Sequence, residues 1–308
     1  MSFAKNMGLW MDVISKKITT IFTNFNNSGM KGLGWMVLSG FCFVAVTVFV
    51  RIVGPSVPPA QAAFLRFLIG LAIFLPFLYN RMKTKLIFNN ILHYFLRGAA
   101  HAIGIVLWFF AVVRLPIAEV TAVGYITPIF VTIGAIFAFK ESVSIAKIMG
   151  IAVAFLGVII LLRPGFQEIA VGTIAQIFST LFFASSFLLA KGLTKKEDPF
   201  VIVAMLTLMV TIALTPFAII SWVEIKGIAL LLLALIALLA TAGHFFMTKA
   251  FQEAPMVLVQ PITFLQLVWS VLLGVMLFNE KIDLFILLGG ALIILAITSN
   301  VFLDKLSK

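Results

Sequence analysis

The sequence predicts an all-α integral membrane protein of ten transmembrane helices, built as two inverted five-helix repeats with the N- and C-termini cytoplasmic. Three observations carry this. Of 308 residues, 63% are hydrophobic and 11% charged, at a mean hydropathy of +1.20, which excludes an ordinary soluble domain. Beyond Lys31, ten apolar stretches of spanning length follow one another with only short connectors between them. Residues 104–141 recur in altered form as 243–280, with Gly104, Ala111, Pro116 and Glu141 matched by Gly243, Ala250, Pro255 and Glu280 at one constant offset of 139. Gly150 and Gly289 extend the register.

Residues 1–31 are too polar to span. Met7, Trp10, Met11, Ile14, Ile18, Ile21, Phe22 and Phe25 nevertheless fall on one helical stripe, the pattern of an amphipathic helix lying in the membrane interface. The expected spans are 32–52, 60–79, 92–113, 117–139, 145–162, 171–191, 199–221, 227–249, 256–278 and 284–303. Helices are expected because an open irregular segment in hydrocarbon leaves backbone groups unsatisfied. The separators carry breakers: GPSVPP at 54–59, RLP at 114–116, RPG at 163–165, KKEDP at 195–199 and EAP at 253–255. The expected organisation is thus a cytoplasmic extension (1–31), a first repeat (32–165), a second (166–303) and a short cytoplasmic tail (304–308).

The net charge of +11 reads as topology. Sixteen Lys and Arg fall on the N-terminal side and five on the other, Arg51, Arg114, Arg163, Lys226 and Lys281, with Arg66 left inside the second span. The basic side is the cytoplasmic one, so no nucleic-acid partner is expected and the surrounding partner is the lipid bilayer. Five spans per half is an odd number, so the second copy enters the bilayer upside down. Inverted repeats of this kind build secondary transporters, in which a site near the midplane is exposed to either side in turn.

Ionisable groups inside a membrane are expensive and are functional candidates by default. On the third span Arg97 and His101 stand four residues apart on one face. Arg97 is suited to grip a carboxylate or phosphate, and His101 adds a donor that titrates near neutrality. Arg66 reads as a structural anchor, with Glu119 at similar depth as its partner. His244 lies on the eighth span. The remaining candidate lining for a substrate is Trp108, Tyr125, Gln176 and Ser185, with Gln260, Thr263, Gln266 and Trp269 descending the ninth span. Interhelical bonding explains such polar groups equally well. Glu141 and Glu280 each precede a helix, where a carboxylate complements the exposed amides, and read as architectural.

All eleven Asp and Glu lie at or near loops or span ends, which disfavours a pump for lipophilic cations and favours a neutral, zwitterionic or anionic solute. Cys42, the one cysteine, excludes an intrachain disulfide and a thiolate metal cluster. No HExxH, P-loop or strand-borne GxSxG is present, so no enzyme activity and no cofactor is expected, and His101 and His244 are too isolated in sequence to suggest a metal site.

Several segments together resemble the drug/metabolite transporter superfamily in its EamA-type branch. They are AFLRFLIG at 63–70, FLRGAA at 95–100, a fourth-span proline followed by FAFKE at 137–141, and the counterpart FNEK at 278–281. The resemblance covers residues 32–303 and implies exchange through a central cavity lined by the first, third, fourth, sixth, eighth and ninth spans. Pro128 has no counterpart at 267, and Pro261 stands earlier in the ninth span, so the two halves break at different points. The expected function is alternating-access transport of a small polar metabolite such as an amino acid, adenosyl compound or vitamin. The expected setting is a bacterial inner membrane, as a monomer or homodimer, with protons or a counter-substrate as possible coupling partners. The alternatives are a multidrug exporter and a non-transporting scaffold or receptor.

Overall fold

The computed structural model describes residues 27–81, 90–139, 145–163, 168–193, 197, 199–225, 227–253 and 263–306. The expected interfacial helix, Glu141, Gln260 and Pro261 lie outside them. The described residues form eleven helices: α1 (Asn27–Val53), α2 (Pro59–Arg81), α3 (Ile91–Arg114), α4 (Ile117–Gly124), α5 (Thr127–Phe139), α6 (Ile145–Leu162), α7 (Val171–Leu193), α8 (Pro199–Ile220), α9 (Ile228–Glu253), α10 (Phe264–Phe278) and α11 (Leu284–Leu306). Five apolar segments, Met30–Val53, Ile91–Arg114, Val171–Ala190, Phe200–Ile220 and Ile228–Met247, are long enough to cross a membrane; five shorter apolar helices accompany them.

The boundaries follow from local chemistry. α2 and α8 open on Pro59 and Pro199, whose missing N–H costs nothing in a first turn. α3 stops at Arg114 because Leu115, preceding Pro116, is driven to an extended conformation (φ −115°, ψ 156°). The expected fourth span, 117–139, is interrupted. Pro128 has no N–H to give the Gly124 carbonyl, and the chain tightens into three-residue turns, Tyr125 N–H to Ala122 O at 3.1 Å and Ile126 N–H to Val123 O at 3.0 Å. α4 and α5 result.

α2, α4 and α6 of the first half pack antiparallel to their sequence counterparts α8, α10 and α11 in the second. For α2 and α8, Gln61 meets Val223 and Phe74 meets Phe200. For α4 and α10, Ile117 meets Glu280, Thr121 meets Ser270 and Tyr125 meets Thr263. For α6 and α11, a Cβ on Gly157 would stand 2.8 Å from the Gly289 carbonyl oxygen, so glycine is what permits this crossing. The other pairings exchange with the halves: α1 packs on α9 as α7 packs on α3, and α1 on α10 as α7 on α5. The two largest apolar clusters among the described residues lie mainly among α1, α2, α3, α8 and α9 and among α4, α5, α6, α10 and α11.

Candidate functional site

The α1–α9 and α3–α7 crossings are built from the same parts. Ser39 of α1 donates its hydroxyl to the Gly243 carbonyl at 2.9 Å, and Ser179 of α7 donates to the Gly104 carbonyl at 2.8 Å. One turn further along, Phe43 meets His244 with ring centroids 5.0 Å apart, and Phe183 meets His101 at 4.9 Å. The glycines admit these rings: a Cβ on Gly104 would lie 3.0 Å from Phe183, and one on Gly243 3.2 Å from Phe43. The two constructions converge, bringing His101 and His244 to a centroid separation of 6.2 Å. Phe67 closes edge-on against His101 at 5.8 Å, and Ser186 Oγ lies 3.4 Å from His101 Nδ1.

Two arginines flank this centre. Arg97, 6% exposed, donates from Nη1 to the Ile202 carbonyl of α8 at 2.8 Å. Arg66, 5% exposed, has its guanidinium carbon 4.0 Å from the centroid of its neighbour Phe67. It lines a crevice of about 10 Å³ with Phe67, Gly70, Val203, Leu206, Thr207, Thr241 and His244, room for about one water-sized particle.

Where α1 and α3 end and α4 begins, the bundle is laced together. Arg51 Nη1 donates to the Val112 carbonyl at 2.8 Å and to that of Leu115, while its Nη2 stands 3.8 Å from Glu280. Glu280 Oε2 accepts the Ile117 N–H at 2.9 Å. Glu280 is aimed by its own helix end: Asn279 adopts a left-handed conformation (φ 52°), returning the Glu280 N–H to the Gly274 carbonyl, and Gly274 leaves space for the folded-back carboxylate. Burial raises the Glu280 carboxyl pKa, while the Ile117 N–H and Arg51 act in the opposite sense. Beside it lies a cavity of about 500 Å³ lined by Glu119, Arg163, Glu280, Lys281 and Asp283 among others.

The residues expected from sequence fall into several groups. His101, His244 and Arg97 are buried or half-buried around the centre. Tyr125, Gln176 and Thr263 form a second polar seam toward the Glu280 end. There Tyr125 Oη donates to the Thr263 carbonyl at 3.0 Å and Gln176 Nε2 to that of Val120 at 3.0 Å, leaving Gln176 Oε1 buried without a partner among the described residues. Trp108, Gln266 and Trp269 have other neighbours: Trp108 stands edge-on to Phe109, Gln266 packs against Gly40, and Trp269 meets the exposed Phe41 at 4.7 Å. Ser185 returns its hydroxyl to the Leu181 carbonyl of its own helix, and its buried neighbour Ser186 is the serine beside His101.

Two expected pairings differ. Glu119 accepts from Thr173 at 2.7 Å, so Arg66 stands apart from its expected acid. Glu280 caps α4 of the other half, while α11, the helix that follows it, is capped by Asp283 through the Phe285 N–H at 2.9 Å. The Ser39–Phe43 and Ser179–Phe183 elements were legible as a repeated Ser-x-x-x-Phe, SGFCF against STLFF.

The described residues form an all-helical bundle, with helices long and apolar enough to cross a membrane, around a buried polar centre. The EamA-like transporter family model matches twice, over residues 30–163 and 170–302, and the chain belongs to that family, within the drug/metabolite transporters. An S-adenosylmethionine uptake transporter of Rickettsia felis is 24% identical over 276 residues, covering 90% of this chain and 94% of its own. A riboflavin transporter of Rhizobium johnstonii is 28% identical over 268 residues, covering 86% and 89%. A crystal structure 17% identical in sequence covers 89% of this chain and 98% of its own with a TM-score of 0.62, a likeness of fold. The chain is an integral membrane transporter of small metabolites.

Proposed function

We propose that this chain is a secondary transporter that moves a small polar organic metabolite by alternating access between inverted halves, in a bacterial inner membrane with both termini in the cytoplasm. The repeats are taken as 32–165 and 166–303, after a cytoplasmic extension of 1–31 and before a tail of 304–308. The observation that carries the reading is the duplicated Ser–Gly and Phe–His construction at the α1–α9 and α3–α7 crossings. Two equivalent crossings that converge on one centre let either half rock against the other while the centre stays in place. The lacing of Arg51, Glu280 and Ile117 holds the ends of α1, α3, α4 and α10 together, and by the charge asymmetry this is the outer side.

In this reading His101 and His244 engage the polar end of the solute, and Phe43, Phe67 and Phe183 flank any ring it carries. Arg97 contributes a positive field from its place on α3, where it is held against the Ile202 carbonyl of α8. The S-adenosylmethionine and riboflavin transported by the relatives support a nucleoside-like or heteroaromatic metabolite as the substrate class. A lipophilic-cation exporter fits less well, since the acids of the sequence stand at span ends. The test is uptake by purified protein in liposomes across labelled adenosyl compounds, flavins and amino acids. Saturable uptake of at least one, strongly reduced by His101→Ala with His244→Ala, is expected. Flux no greater than in empty liposomes across the panel would refute the reading.

A further inference from the structure

Arg66 carries a charge that the surrounding helices do not balance. It is 5% exposed, and its Nη1 is buried with no hydrogen-bond partner among the described residues. α1, α2, α3, α7 and α8 contain no Asp or Glu, and the one acid of α9, Glu253, is its last residue. At nine residues beyond His244, Glu253 stands about 14 Å along the helix from the crevice. The Phe67 ring attracts the guanidinium but offers no hydrogen-bond acceptor in the plane of its N–H groups. A buried guanidinium with an unused donor is costly, and an anion in reach of that donor removes both the charge and the hydrogen-bond deficit.

We propose that the crevice between α2, α8 and α9 is an anion seat, with Arg66 as its anchor and Thr241 and His244 at its wall. Gly70 shapes it: a Cβ there would stand 3.2 Å from Thr241 Oγ1 and 3.6 Å from Thr207 Cγ2, so a larger residue would fill the space beside Arg66. Thr207 already donates its proton to the Val203 carbonyl at 2.9 Å, which leaves Arg66 as the charged donor. At about 10 Å³ the seat takes a monatomic anion or one oxygen of a carboxylate or phosphate. It lies mainly on the second and seventh spans, beside the histidine centre and sharing Phe67 and His244 with it. The seat binds whether or not the chain transports, so its test does not depend on flux.

The experiment uses full-length protein in detergent, in a gluconate buffer of constant ionic strength, with thermal unfolding followed as chloride, phosphate or acetate replaces gluconate. Wild type is expected to show a saturable rise in Tm with at least one of the three, because a ligand that binds the folded state stabilises it. Arg66→Gln should bind that anion at least about tenfold more weakly, the loss expected for a charge-assisted hydrogen bond. Arg114→Gln, which removes an equal charge from the exposed Arg114, should respond as wild type does. If Arg66→Gln does not fold, Thr241→Val and equilibrium binding of radiolabelled chloride to wild type carry the test. Saturation by chloride or phosphate identifies a free inorganic anion as the occupant, and saturation by acetate alone identifies the carboxylate of an organic solute. No saturable response to any of the three anions, or an equal response in Arg66→Gln, overturns the proposal.

Discussion

Replacing Glu280 with alanine tests whether the lacing at its end of the bundle holds a closed conformation. The substitution leaves the Ile117 N–H and the Arg51 guanidinium without their carboxylate. A buried donor left unpaired costs about 1–3 kcal/mol. The ion pair adds little, at 3.8 Å with side-chain exposures of 22% and 10%. Removing the carboxylate also relieves the desolvation that raises its pKa, which places the net effect in the lower part of the range. A loss of about 1–2 kcal/mol from the closed conformer changes its ratio to the open one about 5–30-fold. In a Cys42→Ser background, Thr121→Cys reports on the seam beneath, where Thr121 and Ser270 hydroxyls meet at 2.8 Å. Labelling by a membrane-impermeant maleimide should accelerate by about that factor when Glu280→Ala is added. An unchanged or slower rate would show that the lacing does not govern access.

Three further outcomes follow from the same geometry. A carboxyl with a raised folded-state pKa contributes stability that is complete below its ordinary value of 4.5 and is lost as pH rises through the folded pKa; Glu280→Gln should therefore flatten the fall in Tm above pH 4.5. Gly157→Leu should lower Tm by overpacking the α6–α11 crossing, at a cost of about 1–3 kcal/mol or more, since even a Cβ would stand 2.8 Å from Ile293 Cγ1. Gln61→Leu removes both bonds to Val223, donated at 2.8 Å and accepted at 2.9 Å, and should cost about 1–3 kcal/mol in unfolding measurements, whereas Gln61→Glu should restore only the accepting half.

The helices were legible because hydrophobic length and proline placement act locally. The apolar run of 92–113 and the Leu115–Pro116 stop need no tertiary information, and the observed α3 runs from Ile91 to Arg114. The break at Tyr125–Ile126 was less legible, because a proline removes one hydrogen bond but the neighbours decide whether the helix kinks or divides; Pro216 sits inside an unbroken α8. The site was harder to read because its geometry comes from crossings between halves. Sequence gave Glu280 the helix following it, but the left-handed Asn279 folds the carboxylate back onto α4 of the other repeat. Ser185 and Ser186 are indistinguishable along the chain, and only the rotation of α7 turns Ser186 toward His101. His101 and His244 looked isolated because their positions are one turn out of register; the α1–α9 and α3–α7 crossings converge and bring them to 6.2 Å.

Alternating access requires one site to be reached from both sides of the membrane, and counterflow measures that directly. Proteoliposomes preloaded with an unlabelled solute that the uptake panel identifies would be diluted into a trace of the same solute carrying label. The account predicts a transient accumulation of label above its final equilibrium, abolished by His101→Ala with His244→Ala. A monotonic approach to equilibrium with no overshoot, unaffected by those substitutions, would contradict it.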